Sequence, residues 1–147
     1  MTAKNELWAT PAEIDLLLGD GSAPVSPAAR IMSSDPVVGN VTAMRPYLEL
    51  FIQASAVSTQ PYTNQAIEAY LLATDHYDQG YDGGDTLTDP LIAPVAVMAL
   101  YARVGAQFAA FNLIPVPPRK FKILLINRAN VSMYLLARGY LCNRTLG

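Results

Sequence analysis

Acidic side chains crowd one stretch of the chain. Asp75, Asp78, Asp82, Asp85 and Asp89 fall within fifteen residues, with Gly80, Gly83 and Gly84 between them. Counted from Asp78, carboxylates stand at positions one, five and twelve (Asp78, Asp82, Asp89), with Gly83 at six. That spacing suits a twelve-residue calcium loop, in which oxygen ligands surround a hard cation. The fit is incomplete. Position three is Gly80, which supplies no ligand; position eight is Asp85, where an apolar residue is usual; and Asp89 at twelve reaches less far than glutamate. The competing reading is a solvated turn whose acids keep the chain soluble or pair with cations elsewhere. On the calcium reading, Asp78, Asp82, Asp85 and Asp89 hold the metal in a calcium-responsive helical binding module.

Other reactive groups are scarce. His76, the only histidine, has Asp75 and Asp78 nearby but no nucleophile in its sequence neighbourhood, so it reads as a surface histidine. Cys142, the only cysteine, lies between Arg138 and Arg144 and reads as a plain thiol. One of each excludes an internal disulfide, a cysteine zinc site and most catalytic triads. The single glycine cluster is acidic and would repel phosphate. These absences give a non-enzymatic reading with no cofactor.

Charge divides sharply along the chain. Residues 1–89 carry three cations and all twelve acids, a net of −9. Residues 90–147 carry seven cations and no acid, a net of +7. Either the two halves meet different partners, copies of the same chain among them, or they neutralise each other within one fold. Arg119, Lys120, Lys122, Arg128 and Arg138 concentrate the positive charge, with Phe121, Tyr134 and Tyr140 interspersed. Non-specific contact with a DNA backbone is therefore kept open, although a pI of about 5.2 argues against sequence-specific readout.

The elements that must position these groups are read as helices. Apolar residues make up 52% and charged ones 15%, which excludes wholesale disorder. Residues 1–43 form a Pro-rich, largely irregular arm with one short helix, announced by the capping box Thr10-Pro11-Ala12-Glu13. Residues 44–147 form a helical body. Residues 46–57 fit helical spacing and strand alternation equally well; helix is preferred because a lone strand has no partner nearby. Further helices run from Pro61 to Tyr77, from Thr88 through Phe111, and from Arg119 to Arg138. The third carries a seam of small residues, Ala99, Ala102, Ala106 and Ala109, against which another helix can pack closely. Arg119, Lys120 and Lys122 crowd the first turn of the last helix, where the macrodipole disfavours cations, so an anionic partner is expected there. A membrane span over Leu91–Pro115 is disfavoured by Arg103, while a mean hydropathy of +0.22 keeps open a small membrane-associated helical hairpin over residues 91–138.

The resulting expectation is an all-α, single-domain bundle of about four helices. From Met44 to Gly139 the order of elements resembles the small helical head-to-tail adaptor proteins of tailed bacteriophages, which form rings below the portal. The resemblance is carried by a helix at Ala93–Phe111, the turn Ile114-Pro115-Val116-Pro117-Pro118, and a final helix from Arg119. It implies a structural subunit of a virion, or of the host cytoplasm, that contacts copies of itself and portal or tail components but no membrane. Ala99, Ala102, Ala106, Ala109, Arg119, Lys120, Lys122 and Arg128 are then the expected interface.

Overall fold

The computed structural model describes residues 12–14, 23–32, 46–73, 92–117 and 119–142. They contain eight β-strands and no helix: β1 (Ala12–Ile14), β2 (Arg30–Met32), β3 (Tyr47–Ala56), β4 (Ala66–Ala73), β5 (Ala96–Ala99), β6 (Gln107–Pro115), β7 (Phe121–Asn127) and β8 (Met133–Cys142). The all-α expectation is thereby overturned. The helix sought over residues 46–57 is β3, the one from Pro61 is a turn leading into β4, and the one ending at Phe111 is β5, a loop and β6. The final helix is β7, a turn and β8. In the arm, Ala12–Ile14 and Arg30–Met32 are strands as well.

Two four-stranded sheets form, in the orders β1-β8-β3-β6 and β2-β7-β4-β5, every pair antiparallel. The pairings β1·β8, β2·β7, β3·β6 and β4·β5 are those of one long hairpin whose tip lies between β4 and β5. Rolling that hairpin adds β3·β8 and β4·β7 and splits it into two facing sheets. This is the eight-stranded double Greek key of a jelly roll.

Alternation decides which side chains fill the space between the sheets. On β3, Leu48, Leu50, Ile52, Ala54 and Ala56 are buried, while Tyr47, Glu49, Phe51, Gln53 and Ser55 turn outward. Across the β3·β8 ladder small residues oppose large ones: Ala54 faces Leu135, Ala56 faces Met133 and Gly139 faces Leu50. The second sheet repeats the device, with Ala73 opposite Phe121 and Ala69 opposite Leu125. Such complementation keeps an alanine-rich sheet close-packed. Each buried Leu, Ile or Phe contributes about 1.5–3 kcal/mol relative to exposure.

The middle of the second sheet is buried on both faces. Tyr70, Leu72, Leu124 and Ile126 point away from the main core, yet form a second buried cluster. Consequently β4 and β7 read as continuous apolar runs rather than alternating ones, which is the pattern a buried helix also gives.

Chain direction brings the connections 57–65, 100–106 and 128–132 and the segment 23–29 to one end of the sandwich. Asn127 ties that end together. It is fully buried; its Nδ2 donates to the carbonyls of Val25 (2.8 Å) and Val131 (2.9 Å), and its Oδ1 accepts from the Ala129 amide (2.9 Å). Pro27-Ala28 forms a turn closed by Ala29 N–H donating to the Ser26 carbonyl at 3.0 Å, with Ala28 at φ 63°.

Candidate functional site

The anticipated alanine seam does not exist as a face. Ala99 ends β5 and is exposed, Ala102 is exposed in the 100–106 connection, Ala106 is half-buried beside β6, and Ala109 lies within β6 opposite Ile52. Helical spacing brought them together on paper; an extended chain spreads them over two sheets and a loop. The basic group also separates. Arg119 and Lys120 precede β7, Lys122 lies near its start and Arg128 just past its end. Six residues of strand put Lys122 and Arg128 roughly 20 Å apart. Without a helix there is no macrodipole for these cations to oppose. Arg128 donates from Nε to Glu68 Oε2 at 2.9 Å, joining the basic half of the chain to the acidic half.

Tyr70 completes that group by donating from Oη to the same Glu68 oxygen at 2.6 Å. Burial, and then the hydrogen bond to Glu68, raise the Tyr70 phenol above its ordinary value, with Arg128 opposing. His76, Asp78, Asp82, Asp85 and Asp89 lie outside the described residues. Among the described residues no three His, Cys, Asp or Glu side chains gather as a metal site would need. Nor do the described residues contain a helix long and apolar enough to cross a membrane. Cys142 is buried, its Sγ 3.7 Å from the Tyr47 carbonyl oxygen it bonds to.

The surface that stands out is the outer face of the first sheet, built by β8, β3 and β6. The outward register sets Phe51 between Arg138 on β8 and Ala110 on β6, and Gln53 between Leu136 and Phe108. Tyr140 follows two residues after Arg138 and meets Phe51 edge to face, ring centres 5.7 Å apart at 89°. Together these side chains line a shallow depression of about 570 Å³. Phe108 remains 72% exposed and Phe51 40%. An open antiparallel sheet ordinarily turns polar residues to water on such a face. A contiguous aromatic and aliphatic patch there is a surface of the kind that a partner can cover. Arg138, exposed beside Phe51, is its one cation.

The top of β6 is held rigidly. Gln107 is 2% exposed; its Oε1 accepts from the Tyr101 amide at 2.7 Å while its Nε2 donates to the Tyr101 carbonyl at 2.9 Å. Arg103 Nη2 donates to the Ala106 carbonyl at 2.8 Å. The loop so fixed presents Tyr101 at 73% exposure.

Sequence spacing places none of Phe51, Phe108, Leu136, Arg138 and Tyr140 on an exposed apolar face; Arg138 and Tyr140 enter there only as members of the basic element. The available signal was Phe51 itself, an aromatic among the outward set Tyr47, Glu49, Gln53 and Ser55. What the arrangement offers chemically is an apolar seat with a guanidinium at its rim. Comparison with known protein families and with curated protein sequences finds no match for the chain.

Proposed function

We propose that the protein is a non-enzymatic structural subunit that works in an oligomeric assembly, docking through the outer face of its first sheet. The observation that carries this reading is the apolar set on one sheet face, with Phe51 and Phe108 exposed and Leu136 and Tyr140 half-buried beside them. Phenylalanines left on the solvent side of a sheet gain little from burial in the monomer. Copies of the same chain are the proposed partners. The proposed setting is a virion: jelly rolls build viral capsid domains, although lectins and cupins use them too, so the setting rests on likeness of fold alone. The likeness to head-to-tail adaptors loses the helix order on which it stood, and placement at the tail is not part of the proposal.

Size-exclusion chromatography with light scattering tests it directly. The wild-type chain is expected to run as a multiple of 15.9 kDa. Phe51→Ser should lower that mass with little change in melting temperature. A wild type that stays monomeric across the micromolar range refutes the proposal.

A further inference from the structure

Four strands end the two sheets, and three of them are short: β1 and β2 span three residues each and β5 spans four. The fourth, β6, spans nine, Gln107 to Pro115, without a single charged residue. Among the described residues its one hydrogen-bonded neighbour is β3. Natural edge strands avoid joining other chains by being short, carrying charge or bulging. β6 bulges only in its second half. Leu48 pairs with Ile114 and Leu50 with Phe111, so Asn112 and Leu113 together oppose Glu49, and Leu113 takes φ 56°. The first half, Gln107–Phe111, is left regular and uncharged, with Phe108 and Ala110 exposed.

We propose that β6 pairs antiparallel with β6 of a second copy about a two-fold axis at Ala109, joining the two outer sheets into one eight-stranded sheet. This rests on the assembly reading above and adds to its outer-face docking a second contact, at the edge of the same sheet. An edge that is regular over five residues centred on Ala109 is self-complementary under a two-fold, because each strand offers its partner the same alternating donors and acceptors. Centring the pair there sets Phe108 of one copy across from Ala110 of the other, large against small, as in the ladders within the subunit. It also sets residue 112 of one copy level with residue 106 of the other. Glu49 stands opposite Asn112 and Leu113, and Arg103 is bonded to the Ala106 carbonyl. Two strand spacings, about 10 Å, then separate the backbone of Glu49 from that of the other copy's residue 106, a gap that glutamate and arginine side chains can close. The symmetry supplies this charge match twice. Both outer-face depressions come to lie on the same side of the joined sheet.

The test uses the full chain and opposite charges at the paired positions. Phe108→Lys with Ala110→Lys places like charges across the two-fold, and Phe108→Glu with Ala110→Glu does the same with the other sign; like charges directly opposite are unfavourable. Each double variant alone is expected to lose at least one doubling of mass relative to wild type, at unchanged circular dichroism. An equal mixture of the two is expected to recover it as a mixed dimer. In the wild type, the amides of Gln107–Phe111 should exchange more slowly as protein concentration rises. If the wild type is oligomeric and both variants keep its mass, the β6 pairing is overturned while the assembly reading stands. If each variant is monomeric but the mixture does not recover, the two-fold pairing is overturned as well. A monomeric wild type overturns both.

Discussion

Replacing Asn127 by alanine removes a side chain that ties the 23–29 segment to the 128–132 connection at the loop end of the sandwich. Its amide makes three hydrogen bonds, to Val25, Val131 and Ala129, over distances of 2.8–2.9 Å in a fully buried site. A typical intramolecular hydrogen bond contributes about 0.5–1.5 kcal/mol net, so the direct loss is roughly 1.5–4.5 kcal/mol. The partners do not all regain water. Ala129 is only 4% exposed, so its amide is left without an acceptor, at a further cost of about 1–3 kcal/mol. Some relaxation of the loops offsets this, and we expect a net loss near 4 kcal/mol. At about 2–4 °C per kcal/mol for a chain of this size, the melting temperature should fall by roughly 8–16 °C. Thermal unfolding followed by circular dichroism measures it, and native-state hydrogen exchange should show the Ala129 amide losing protection first. A loss below about 1 kcal/mol would refute the reasoning, since it would mean that the bonds are worth no more than exposed ones.

Other positions give independent checks. Tyr70 has its phenol pKa raised in the folded state by burial and by Glu68. The stability this contributes is complete below the ordinary tyrosine pKa of about 10 and is lost as pH rises through the folded value. Absorbance titration should therefore find one tyrosine ionising late, and Tyr70→Phe should remove that late component and flatten the alkaline decline in stability. Glu68→Ala should cost about 1 kcal/mol, mostly by leaving Tyr70 Oη without its acceptor, because a partly exposed ion pair contributes at most about that much; urea denaturation measures it. Cys142 should react slowly with a thiol reagent in the native protein and at once in denaturant, since it is buried; fast native labelling would contradict its placement. Ala102→Leu, which would overpack a helical seam, should change stability by less than about 0.5 kcal/mol, because the residue is exposed in a loop.

Parts of this fold were legible in the sequence and parts were not. The alternation Leu48, Leu50, Ile52, Ala54 is visible, and it is the burial pattern of β3. The same residues fit helical spacing equally well, and no partner stands nearby in the chain to favour the strand. The partners of β3 are β6 and β8, more than fifty residues downstream in sequence, and strand pairing leaves no local trace of such a neighbour. β4 and β7 hide their period altogether, since the middle of the second sheet is buried on both faces. Alanine misled in a different way. At Ala99, Ala102, Ala106 and Ala109 its spacing imitates the small side of a helix contact, whereas Ala54, Ala69 and Ala73 show its use here: making room opposite Leu135, Leu125 and Phe121. The outer-face patch needed three strands in register before its members became neighbours.

The charge division gains a different meaning once the topology is known. In each sheet the strands alternate between the first and second halves of the chain: β1, β8, β3, β6 in one, β2, β7, β4, β5 in the other. That alternation is unavoidable when a single long hairpin is rolled up, because every rung joins an early strand to a late one. Strands from the two halves are therefore interleaved at a spacing of about 4.8 Å, shorter than the Debye length of about 8 Å at physiological salt. Among the described residues the first half brings the acids Glu13, Glu49 and Glu68, and Glu68 meets Arg128 of the second half in an ion pair. What the described strands let one subunit offer another is local: an uncharged edge, an apolar face beside it, and single charges such as Arg103 and Glu49 that would align two copies in the proposed pair.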